Sequence, residues 1–158
     1  MKILVAVDGS SNSLRAVKYA IQLAEELRSK TSLTLINVHD DDPLNIVKRH
    51  VGSKAVKDYL IEMSQKELKP ALRILDRSQV KHSCIIELGH IATMICKIAK
   101  REKMDLIVMG AKGRSSFADI VLGSVSQRVS VLAKQPVLLC MGGLDPIKDE
   151  LWFMQAHG

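Results

Sequence analysis

The chain opens Met1-Lys2-Ile3-Leu4-Val5-Ala6-Val7-Asp8-Gly9. Ile3–Val7 is a continuous apolar run that stops at an acid. A strand buried on both faces of a parallel sheet has this composition, whereas a half-exposed strand alternates. The run is too short for a signal peptide and meets an acid early, so the expectation is a cytoplasmic protein. Four more runs of the same kind follow: Leu33–Val38, Cys84–Leu88, Leu106–Met109 and Val137–Met141.

Helical stripes lie between the runs. Leu14, Val17, Ile21 and Ala24 recur at helical spacing behind the capping sequence Ser10-Ser11-Asn12-Ser13. Val56, Leu60 and Met63, then Leu72 and Leu75, mark a longer helical region that Pro70 is placed to kink or divide. Ile91, Met94, Ile95 and Ile98 form a third stripe, and Val125, Val129 and Leu132 a fourth. The order β-α-β-α-β-α-β-α-β calls for right-handed crossovers and a Rossmann-like α/β fold, a doubly wound sheet with helices on both faces. Residues 40–54 are the longest unassigned connection. Residues 142–158 form a tail beyond a domain over 1–141.

Composition narrows the function classes. The 158 residues suit one domain able to bury its own core. At 47% hydrophobic and 25% charged, the chain is neither disordered nor fibrous. No apolar run approaches the roughly 20 residues of a membrane span. Cys84, Cys96 and Cys140 are odd in number and lack C-x-x-C spacing, which reads as buried free thiols in a reducing compartment. The net charge of +6 raises nucleic acid as a partner. Two Tyr, two Phe and one Trp leave little to stack on bases, so nucleic acid is disfavoured. The excess is also local. Residues 97–134 hold eight Lys and Arg against three acids, which suits a compact anion better than a long one.

An open parallel sheet binds ligands beyond the carboxyl ends of its strands. There the sequence places Met109-Gly110-Ala111-Lys112-Gly113-Arg114-Ser115, and Gly123-Ser124 opens the fourth helix. The pattern G-x2-G-x9-G-S is neither the Walker loop nor the dinucleotide fingerprint. Glycines admit a ligand close to the backbone, and a helix start offers free N–H donors and a positive dipole end. Together they favour a phosphate, with Lys112 and Arg114 beside it and the Ser124 and Ser126 hydroxyls near. Turn glycines and an N-cap serine would have the same spacing, and spacing alone leaves both readings open.

Asp8 reads as a turn and cap residue or as a ligand to ribose or metal, and its place at a strand's carboxyl end favours the second. His39-Asp40-Asp41-Asp42 reads as a solvated loop rather than a metal cluster. His50, His82 and His157 lack partner spacing. Ser10, Ser11 and Ser13 read as capping residues, since no G-x-S-x-G elbow accompanies them.

On these residues the chain resembles a universal stress protein of the nucleotide-binding type. The resemblance rests on Gly110, Gly113, Gly123 and Ser124, on Val5-Ala6-Val7-Asp8, on Asp105-Leu106-Ile107-Val108-Met109-Gly110, and on Leu122-Gly123-Ser124-Val125-Ser126 and Gln135-Pro136-Val137-Leu138. It covers residues 1–141, and is looser between 40 and 80. It implies strand order 3-2-1-4-5 and a site for ATP or a related adenine nucleotide, with or without Mg²⁺. Ala6, Val7 and Val38 would line the adenine, and Asp8 would face the ribose or a phosphate-bound metal. Met109, Gly110, Lys112, Gly113 and Arg114 would wrap the ribose and phosphates. Gly123, Ser124, Val125 and Ser126 would hold the phosphates at the helix start. A homodimer through the last strand, Val137 to Cys140, is also implied.

His90 after Gly89 and the tail with Trp152 and Phe153 depart from the family's pattern. With no evident base or arginine for phosphoryl transfer, the expected role is a stress-response regulatory module that binds ATP. The alternatives are an interaction module with an empty site and a slow ATP-hydrolysing enzyme.

Overall fold

A computed structural model describes residues 1–27, 30–40, 42–112 and 122–141. These form a sheet of five parallel strands: β1 (Lys2–Ala6), β2 (Ser32–His39), β3 (Lys81–Leu88), β4 (Leu106–Gly110) and β5 (Val137–Cys140). Their order is β3-β2-β1-β4-β5. The helices are α1 (Ser11–Glu26), α2 (Asn45–Val51), α3 (Ser53–Leu75), α4 (Ile91–Arg101) and α5 (Ser124–Leu132). The expected fold and strand order both stand.

Alternation along the strands builds two apolar layers. Ile3, Val5 and Val7 join Leu33, Leu35, Leu106 and Val108 against α1 and α3. Leu4 joins Ile36, Val38, Ile107 and Met109 against α4 and α5. Both sets of side chains are buried, which is why the runs in β1 and β4 read as continuously apolar. α1 starts at an N-cap, Ser10, whose Oγ accepts from Ser13 N at 3.2 Å.

Two expectations need correcting and one open stretch is filled. Pro70 does not divide the long helix, because α3 runs unbroken from Ser53 to Leu75 with Leu68 and Ala71 buried on either side of it. The unassigned connection folds, as a 3₁₀ turn (Asp42–Leu44) leading into α2. Cys84 is exposed, since β3 is an edge strand without a neighbour on its outer side among the described residues, while Cys140 is buried. Desolvation still pushes all three thiols upward, away from reactive thiolate character. Residues 142–158, with Trp152, Phe153 and His157, lie outside the described residues, as do Asp41, Gly113 and Arg114.

Candidate functional site

Strand order reverses between β1 and β4, the place where a doubly wound sheet leaves a crevice. A cleft of about 140 Å³ opens there. One wall is apolar: Ala6, Ile36, Val38 and Met109 from the strand ends, with Ile91 and Ile95 from the first turns of α4. The rest of the lining brings polar and charged groups: Asp8, Lys112 and the start of α5 with Gly123, Ser124, Val125 and Ser126. A flat apolar body with an anionic end matches this division.

Asp8 lies where β1 gives way to a turn through Gly9, whose φ is 78°. Its Oδ1 accepts from Ser10 N at 3.0 Å, an Asx turn, and its own N–H donates to Ser13 Oγ at 3.4 Å. Asp8 therefore makes the Asx turn ahead of the Ser10 cap and lines the cleft as well, so the turn and ligand readings of this residue are compatible.

The start of α5 is tied to the end of β4 through one carbonyl. Ala111 O accepts from Gly123 N at 2.8 Å and from Ser126 Oγ at 2.7 Å. Ser126 Oγ also lies 2.7 Å from Gly123 O. The single hydroxyl proton of Ser126 is thus shared between carbonyls inside the fold. The first intrahelical bond of α5 runs from Gln127 N to Gly123 O at 2.9 Å. The N–H groups of Ser124, Val125 and Ser126 precede it and carry the helix's positive end.

Gly110 ends β4 under α1. A Cβ built there would stand 2.9 Å from both the carbonyl carbon and the Cβ of Asn12. The close approach that demands this glycine comes from a helix inside the fold.

Every sequence-chosen site residue within the described part lines the cleft: Ala6, Val7, Asp8, Val38, Met109, Gly110, Lys112, Gly123, Ser124, Val125 and Ser126. Ile36, Ile91, Ile95 and Ser13 line it too and were read only as core or cap. His39 is no solvated loop residue. It ends β2, with Nε2 3.1 Å from the Glu67 carboxylate. His82 also has a partner, Asp76 at 3.2 Å.

A family model described as the universal stress protein family matches residues 1–140. The chain belongs to the universal stress protein family. Among its relatives, universal stress protein MJ0531 of Methanocaldococcus jannaschii is 35% identical over 87% of this chain and 80% of its own length. Of the solved universal stress protein folds, hypothetical protein MJ0577, from a structure-based assignment of biochemical function, superposes with a TM-score of 0.79. It is 27% identical and covers 91% of this chain and 97% of its own. A universal stress protein solved in complex with cAMP superposes at 0.58, with 25% identity over 90% and 98% of the two chains. Among the described residues, no helix of this universal stress protein is long and apolar enough to cross a membrane.

Proposed function

We propose that this universal stress protein binds an adenine nucleotide in the cleft between β1 and β4 and acts as a homodimeric stress-response module in the cytoplasm. One observation carries the reading: apolar side chains at the strand ends and a helix N-terminus line the same cleft. Ala6, Val7 and Val38 take the base. Asp8 takes the ribose or a Mg²⁺ held mainly by phosphate oxygens. Met109, Gly110 and Lys112, with Gly113 and Arg114, wrap the ribose and phosphates, and Gly123 to Ser126 receive the phosphates. The relative solved with cAMP supports an adenine nucleotide as the class. The residues act as one domain over 1–141, followed by the tail.

The dimer forms through β5. Val131, on α5, is 83% exposed, and Met141, which directly follows β5, 55%. An edge strand with such apolar neighbours invites pairing, and its twin in a second copy satisfies it.

The test is thermal unfolding of dialysed protein with Mg-ATP, ADP, AMP, cAMP and GTP. A ligand at 100 times its Kd adds about 2.7 kcal/mol, or about 5–11 °C for a chain of this size. The expected result is a shift with adenine nucleotides and none with GTP, and the ranking identifies the ligand. No shift with any of them, once co-purified nucleotide is excluded, would overturn the reading. Lys112→Ala separates base from phosphate: ATP affinity should fall about tenfold, as for loss of one charge-assisted contact, with adenosine unchanged. Equal losses would move Lys112 to the base or ribose.

A further inference from the structure

Behind the cleft, on the other face of the sheet, three polar groups sit together in a layer that is mostly apolar. Asn37 is 1% exposed and Glu67, on α3, is 8% exposed. Asn37 Nδ2 donates to Glu67 Oε2 at 2.8 Å and to the carbonyl of Val7 at 2.8 Å. Glu67 Oε2 also bonds His39 Nε2 at 3.1 Å. Among the described residues, Asn37 Oδ1 is buried with no hydrogen-bond partner. A buried carboxylate and an unpaired amide oxygen both cost stability that apolar side chains there would not. Stability alone does not explain them.

Their targets do. Asn37 and His39 flank Val38, which lines the cleft from the opposite face. One carboxylate on α3 therefore grips β2 on both sides of a cleft residue. The third target is Val7. Regular pairing of β1 with β2 ends at Ala6↔Ile36. Beyond it, Val7 N donates to Ile36 O at 2.9 Å and Val7 O is held by the Asn37 amide. Both main-chain polar groups of Val7 are thus fixed to β2 just before the chain turns into Asp8, Gly9 and the cap of α1.

We propose that Asn37, held in place by Glu67, is a positioning residue for the nucleotide site. It fixes the direction in which the chain leaves β1, and so where the Asp8 turn stands in the cleft. This rests on the nucleotide reading of that cleft. Glu67 acts one step further back, by fixing the rotamer of Asn37 and the end of β2.

The experiment uses the whole chain and the double variant Asn37→Leu with Glu67→Met, which fills the same space without polar atoms. Its Tm should equal or exceed that of the wild type. ATP affinity by calorimetry should nevertheless fall about tenfold, which is about 1.4 kcal/mol. Without nucleotide, amide exchange at Asp8, Ser10 and Ser13 should be faster than in the wild type. Glu67→Gln keeps an acceptor and the shape, and should hold ATP affinity within about threefold. If the double variant does not fold, Asn37→Thr, which suits a strand, carries the same expectations for affinity and exchange. Wild-type affinity and wild-type exchange in these variants would overturn the positioning role. If the wild type binds no adenine nucleotide, the reading of the cleft fails by itself, and the exchange rates still decide whether Asn37 holds the Asp8 turn.

Discussion

Gly123→Val should lower ATP affinity about a hundredfold while the chain stays folded. The backbone at Gly123 is extended, with φ −65° and ψ 150°, so valine meets no conformational penalty there. The bonds Gly123 makes are main-chain bonds: its N–H to Ala111 O, and its carbonyl to Gln127 N and Ser126 Oγ. All survive the substitution. Valine is a poorer N-cap than glycine by about 1 kcal/mol, so Tm should fall by no more than about 4 °C. The isopropyl group, however, would stand at the mouth of the N–H array of Ser124, Val125 and Ser126. Hydrogen bonds to charged groups contribute about 1.5–3 kcal/mol each, and holding a phosphate off one or two of them accounts for the expected loss. Adenosine, which lacks the phosphates, should bind within about threefold of wild type. Titration calorimetry with ATP and adenosine checks both. Unchanged ATP binding would show that the phosphates lie elsewhere.

The fold was legible wherever a strand is covered on both faces. Ile3–Val7 and Leu106–Met109 are continuous apolar runs because α1 and α3 cover one side and α4 and α5 the other. Legibility failed at the edge. Cys84 lies in an apolar stretch of sequence but on an edge strand of the sheet, and apolarity along the chain does not report that. It failed again at α2, whose seven residues are too few to show a helical period. In the site, Asp8, Gly110 and Gly123 stood out because strand ends and helix starts have sequence signatures. Ile91 and Ile95 did not, because a residue over a cleft and a residue in a core share one stripe. The Asn37–Glu67 pair spans 30 positions, and Glu67 sits in Gln65-Lys66-Glu67, which reads as a wet face. The signal available was Asn37 itself, a polar residue inside the apolar run Leu33–Val38. A side chain with four hydrogen-bonding sites in a covered strand calls for partners in the interior, from main chain or from a polar group opposite, and here it takes one of each.

Gly110→Val is expected to act on stability first and on binding through it. The Cβ at 2.9 Å from the Asn12 carbonyl carbon and 3.1 Å from its oxygen meets main chain, which cannot swing aside as a side-chain tip can. Something must shift, and the mobile partner is the first turn of α1, since β4 is held by β1 on one side and β5 on the other. Overpacking of this kind costs about 1–3 kcal/mol, which lowers Tm by about 2–12 °C in a chain of this length. The same turn carries Ser10 and Ser13, the bonding partners of Asp8, so displacing it moves a cleft residue. ATP affinity should therefore fall together with Tm, unlike in Gly123→Val, where affinity falls and Tm nearly holds. Adding Asn12→Gly removes the clash with the Asn12 Cβ and leaves the backbone clash, so the double variant should recover part of the Tm loss and no more. Full recovery would mean that the side chain of Asn12 alone requires the glycine. Absence of any Tm loss in Gly110→Val would mean that α1 does not press on β4, and that the demand for glycine at the end of this strand comes from the ligand.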